Sequence, residues 1–201
     1  MIVLGAFYTC GQMGAAFVNR GNVVTNNVFM NVRNTVAPGV QVGVGVNAIY
    51  LDDDMSGWSI TNNTFINCQQ GGVIGGGRRN IVSGNYYERC DLALHLDNRG
   101  MGGKPAGQVP NCTSVCKPLS GGCSCNRGAA EWMLTKSPAA RLWGERFPYL
   151  KNLPDDRLDQ PAYNTITSNT YCKCGKFIDA SQTDIESWGS TATNNAEVKT
   201  C

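Results

Sequence analysis

Apolar positions in this chain come in short, separated pairs rather than in helical stripes. Four segments carry the same pattern. They are Asn22-Val-Val-Thr-Asn-Asn27-Val-Phe-Met-Asn-Val32, Trp58-Ser-Ile-Thr-Asn-Asn63-Thr-Phe-Ile-Asn-Cys68, Asn80-Ile-Val-Ser-Gly-Asn85-Tyr-Tyr-Glu-Arg-Cys90 and Asn164-Thr-Ile-Thr-Ser-Asn169-Thr-Tyr-Cys-Lys-Cys174. Each holds a three-residue β-branched strand, an Asn-containing bend and a second strand with an aromatic at its centre, the signature of short strands separated by turns. Further strand-like runs fall between the copies, at Ala48-Ile-Tyr-Leu-Asp52, Gly72-Val-Ile-Gly-Gly76 and Ala93-Leu-His-Leu-Asp97, and Phe7-Tyr-Thr-Cys10 reads as the tail of another copy. The closing positions 10, 32, 68, 90 and 174 are 22, 36, 22 and 84 residues apart, a basic period of 22 with two insertions. A fixed period of this size means stacked repeats.

One such repeat cannot bury its inner face alone, but stacked coils pair their strands ~4.8 Å apart and bury columns of like residues. The expected fold is therefore all-β, a right-handed parallel β-helix of about five coils. Propeller blades need four longer strands, and the Leu lattice of leucine-rich repeats is absent. The shared Asn27, Asn63, Asn85 and Asn169 are expected to stack as a ladder at a left-handed bend, a conformation Asn tolerates. Coils occupy 1–100, an insertion of Cys-rich loop and short helices occupies 101–162, and the last coil and a tail occupy 163–201. Within the insertion, 129–150 is the stretch with helical composition, broken by Pro138 and Pro148.

Composition narrows the function. Glycine is 24 of 201 residues and charged residues only 16%, which excludes a coiled coil or a disordered chain. A net charge of +2 argues against nucleic acid as partner, and no apolar run approaches the ~18 residues of a membrane span. Ten cysteines and the sequons at Asn62 and Asn111 favour an oxidising, extracellular compartment with N-glycosylation. Cys112, Cys116, Cys123 and Cys125 crowd the insertion; their spacing fits disulfides among themselves better than a zinc site. Cys68 and Cys90, one period apart, are expected to stay reduced and buried. The N-terminal edge, opening directly in apolar sequence, is expected to stack on further coils or another chain.

Strand alternation sorts the candidate chemistry. With Ile49, Leu51, Leu94 and Leu96 inward, Tyr50, Asp52, His95 and Asp97 face out on one side, with Ile74 and Gly76 expected outward in the coil between. Asp52 and Asp97 as general acid and base suit inverting glycoside hydrolysis; alternatively, Ca²⁺ held by clustered carboxylates would bridge to an acidic sugar while His95 or an arginine removes the proton next to the uronate. Asp52, Asp53 and Asp97 have the chemistry of a Ca²⁺ site. Tyr50 offers a sugar platform, and Arg78, Arg79 and Arg99 offer bidentate pairing with an acidic sugar.

The runs Ala48-Ile-Tyr-Leu-Asp-Asp-Asp-Met-Ser-Gly-Trp58, Gly75-Gly-Gly-Arg-Arg-Asn80, Ala93-Leu-His-Leu-Asp-Asn-Arg-Gly100 and Trp143-Gly-Glu-Arg-Phe-Pro-Tyr-Leu150 resemble a secreted branch of the pectate-lyase-like parallel β-helix superfamily. That resemblance implies an extracellular carbohydrate-active protein, a polysaccharide lyase or glycoside hydrolase with a polysaccharide along its outer coil face. The alternative is a non-catalytic module of a surface or fibrous glycoprotein.

Overall fold

The structure is a computed structural model; it describes residues 5–9, 20–34, 45–52, 54–98, 134–156 and 160–201. Asp53, Arg99, Asn111 and the cysteines at 112, 116, 123 and 125 lie outside these residues. Among the described residues, fifteen short strands form three sheets of five, all parallel. The first sheet stacks β1 (Gly5–Thr9), β4 (Asn47–Leu51), β7 (Gln70–Gly75), β10 (Leu92–Asp97) and β13 (Lys176–Ile178). The second stacks β2 (Val23–Thr25), β5 (Ser59–Thr61), β8 (Ile81–Ser83), β11 (Thr165–Thr167) and β14 (Thr191–Thr193). The third stacks β3 (Val28–Met30), β6 (Thr64–Ile66), β9 (Tyr86–Glu88), β12 (Thr170–Cys172) and β15 (Ala196–Glu197). Each chain passage contributes one strand to every sheet in turn, which makes the fold a parallel β-helix of about five coils.

The core is a set of columns. Val24, Ile60, Val82, Ile166 and Ala192 are successive register partners in the second sheet. In the third, the rings of Phe29, Phe65 and Tyr87 stack nearly parallel, with centroids 5.1 and 4.7 Å apart. In the first, Leu51, Ile74 and Leu96 align and are buried. Full burial of each such side chain contributes roughly 1.5–3 kcal/mol, and no coil can achieve it without its neighbours.

Between the second and third sheets the chain turns within two residues, and the asparagine ladder makes that turn possible. Asn63 donates its backbone N–H to Asn85 Oδ1 at 2.9 Å and its side-chain amide to the same oxygen at 3.1 Å and to Val24 O at 2.9 Å. Asn85 repeats this with Asn169 and Ile60 O, and Asn169 with Asn195 and Val82 O. The side chain thus satisfies backbone groups that the turn removes from the sheets. The left-handed backbone falls on the residue before each ladder asparagine, not on the ladder residue as expected. Asn26, Asn62, Ser168 and Asn194 have φ between 54 and 57°, and Gly84 has φ 66°. A second ladder follows the same logic at the corner entering the second sheet, where Trp58 N–H donates to Asn80 Oδ1, Asn80 N–H to Asn164 Oδ1 and Asn164 N–H to Ser190 Oγ.

Outside the coils, α1 (Ala140–Arg146) stops at Phe147, ahead of Pro148, and a 3₁₀ segment spans Pro148–Asp155, consistent with the residue before proline avoiding helix. The last coil carries α2 (Gln182–Ser187), capped by Ser181 Oγ accepting from Asp184 N–H, and packs Ile185 and Trp188 into the core. Cys172 and Cys201 form a disulfide that ties the chain end to β12.

The ladder sets a stability prediction. Asn85→Ala strips partners from Asn63 and Ile60 inside the core, and each buried unpaired group costs ~1–3 kcal/mol. Urea denaturation should show a loss of about 3 kcal/mol or more for this variant, and about 1 kcal/mol or less for Asn27→Ala at the exposed end of the same ladder. Equal losses would show that the ladder is not acting through buried satisfaction.

Candidate functional site

The outer face of the first sheet is built by register. Tyr8, Tyr50, Val73 and His95 are successive partners, and Asp97 pairs with Gly75. The intervening coil therefore presents Val73 and Gly75 outward, and Ile74 is fully buried inside. The expectation of Ile74 and Gly76 was one residue out of step, which in a strand exchanges the two faces. Asp52 continues β4 beyond Leu51, the partner of Ile74, so it precedes Gly75 and Asp97 in one column. Gly75 between the two carboxylates is itself buried, as are Val73 and Tyr50 on the same face.

His95 is the chemical centre of this face and the only histidine in the chain. Its Nδ1 meets Asp179 Oδ2 in a short hydrogen bond, and its Nε2 lies 3.7 Å from Asp97 Oδ2. Asp179 is fixed in turn, its Oδ1 accepting from Leu96 N–H at 3.1 Å. All three side chains are a fifth to a third exposed. The hydrogen bond to Asp179, then that to Asp97, raises the imidazole to about 9, outweighing the opposing effect of burial. Burial pushes the Asp179 carboxyl up, but the bond and charge of His95 prevail and hold it below its usual value. At neutral pH the group is an imidazolium between two carboxylates, with both ring N–H groups directed at oxygens.

Two coils away, Asp52 accepts a 2.7 Å hydrogen bond from Tyr8 OH and is 8% exposed. Tyr50 is buried on the same face, its ring edge-on to Tyr8 at 5.4 Å. Two coil spacings put Asp52 and Asp97 ~9.6 Å apart at the backbone.

The arginines of the following turn lie in a different environment. Arg78 is fully buried and donates to Asp156 O at 2.6 Å and Asp156 Oδ2 at 3.0 Å. Burial pushes its guanidinium down to about 10 against the pull of Asp156. Arg79 takes φ 55° and sits over the rings of Tyr149 and Tyr163, at 4.3 and 4.6 Å. Together they fasten Tyr149, Asp156 and Tyr163 to the coil corner. A Cβ on Gly77 would stand 1.9 Å from Met55 O, so this corner also needs glycine. Asn62 is exposed in its bend. Among the described residues, no group of three or more His, Cys, Asp or Glu side chains is arranged to hold a metal ion.

Asp179 is the site residue that sequence reasoning missed. Its signal was present: His95, Val73 and Asp179 each lie five residues after the closing cysteines Cys90, Cys68 and Cys174. Compared with family models, curated proteins and solved structures, the chain matches none.

The elevated His95 value has a signed consequence. Below pH 6.5 the imidazole is protonated folded and unfolded, and its pairing contributes fully; the contribution is lost as pH rises toward and through about 9. The thermal midpoint should therefore fall between pH 6.5 and 9.5 by more in the native protein than in His95→Gln. Parallel profiles for the two would show that the imidazolium is not held by these carboxylates.

Proposed function

We propose that this protein is an extracellular carbohydrate-active β-helix of the pectate-lyase-like kind, cleaving a polysaccharide laid along the outer face of the first sheet. The observation that carries the reading is the His95 imidazolium held between Asp179 and Asp97, with Asp97 in the column of Asp52 on the outer side of the first sheet. Asp97, a fifth exposed and facing His95 at 3.7 Å, is the candidate general base for water. Asp52, nearly buried and accepting from Tyr8 OH, is the second carboxylate of the pair. Their backbone separation of ~9.6 Å is close to the ~6.5–9.5 Å between carboxyls that leaves room for a water in inverting hydrolysis. An eliminating mechanism with His95 as base would instead need the neutral imidazole, and would run only near and above pH 9. The Cys172–Cys201 disulfide and the exposed Asn62 sequon support an oxidising, secretory compartment.

A second reading, a non-catalytic glycan-binding or structural module, is favoured by the engagement of His95 on both ring nitrogens and by the low exposure of Asp52.

Incubation with a panel of neutral and acidic polysaccharides, followed by product analysis, separates these readings. New reducing ends without unsaturation are expected, falling off above pH 9. Asp97→Asn should lower turnover about 100-fold or more, with a modest loss of stability because the carboxylate, a fifth exposed, also faces His95. Unsaturated uronate ends would assign a lyase, and retention without cleavage would assign the binding module.

A further inference from the structure

The closing position of the repeat carries a row of thiols that the proposed polysaccharide chemistry does not use. Cys68, Cys90 and Cys174 occupy this position in three consecutive coils and are free thiols. The first two are buried, and Cys174 is half-exposed at the end of the row. In-register bonds flank the last pair: Arg89 N–H donates to Cys172 O at 3.0 Å and Gly175 N–H to Cys90 O at 2.9 Å. Adjacent coils at ~4.8 Å put the Cys90 and Cys174 Cα atoms within the ~4.4–6.8 Å span of a disulfide. Each thiol also faces carbonyls of the same corner, Cys90 Sγ lying 3.8 Å from Phe65 O and 3.7 Å from Glu88 O, and Cys174 Sγ 3.6 Å from Cys172 O. The first coil shows that the position does not need sulfur for packing, because Val32 fills it there.

We propose that Cys90 and Cys174 are a redox-active dithiol, in which Cys174 attacks an external small-molecule disulfide and Cys90 resolves the product into a Cys90–Cys174 cross-link between coils.

The roles follow from the surroundings. Cys174 is the accessible member, and the hydrogen bond from Cys90 lowers its thiol to about 7 despite burial, so a large thiolate fraction exists at neutral pH. Cys90, bonded to Cys174 and Cys68 and buried, is pushed up and stays protonated until the first step is over. In that step the Cys174 thiolate bonds to one sulfur of the disulfide and the other leaves as a thiolate. Cys90 then loses its proton to water, attacks Cys174 Sγ and expels the second thiolate. The chain loses two electrons, which the external disulfide gains. The new bond would bridge an 84-residue interval, joining the coils on either side of the segment that departs from the repeat, so it should raise the thermal midpoint.

The test uses the full chain, oxidised glutathione as probe, alkylation of remaining thiols and peptide mapping by mass spectrometry. A Cys90–Cys174 linkage is expected, with an oxidation rate that rises through a midpoint near pH 7. Cys90→Val, which copies the first coil, should stop at a glutathione adduct on Cys174. It should form that adduct about fivefold more slowly at pH 7, if the Cys174 thiol returns to near 9 and lower thiolate content is partly offset by greater nucleophilicity. Cys90→Ser should retain the donor and the fast first step, again ending as the adduct, which guards against a packing defect in the valine variant. A Cys68–Cys90 linkage, an adduct in the native chain that never resolves, or no reaction at Cys174 would each overturn the proposal.

Discussion

Every coil must lie in register with the next, and the buried asparagine amides enforce this. Each ladder amide accepts a backbone N–H and donates to a backbone carbonyl of the same preceding coil. Slipping one coil by a single residue would exchange its inner and outer faces and leave these groups unpaired in an apolar interior. The aromatic stack and the aliphatic columns add apolar burial but tolerate exchange of one hydrophobe for another. The amides do not tolerate exchange, so they are the part of the repeat that specifies rather than merely stabilises.

Registration converts sequence distance into chemistry. His95 and Asp179 are 84 residues apart, yet they meet because each occupies the same place in its coil. The long excursion between them leaves after β10 and returns at β11, between the first-sheet and second-sheet strands of one coil, and therefore need not disturb the pairing of β10 with β13. The same arithmetic brings Cys90 beside Cys174. A solenoid can thus assemble a polar cluster on its outer face and a thiol row inside from one repeat offset.

The architecture was legible because the repeat writes its own period: β-branched pairs and the ladder asparagine recur in four copies, three of which close on cysteine. What stayed hidden were positions that depart from the template. The strands β14 and β15 belong to a further copy, Ser190-Thr-Ala-Thr-Asn-Asn195, but Ala192 and Glu197 replace the branched and aromatic residues that mark the others. The corner ladder was masked by Trp58 standing where Asn80 and Asn164 recur. The outer-face residues Asp52, His95 and Asp97 were legible from alternation alone, whereas Asp179 required carrying the coil offset across the insertion. Arg78 looks like a surface ligand in the sequence; its burial against Asp156 depends on a segment nearly eighty residues away, which no local pattern encodes.

Because the chain has one histidine, the claim that register assembles the His95–Asp97–Asp179 group can be read from a single resonance. An NMR titration of the imidazole should give a midpoint near 9 in the native protein, moving down toward 6.5 in Asp179→Asn. A native midpoint near 6.5, unchanged by Asp179→Asn, would mean that the two coils do not bring these residues together.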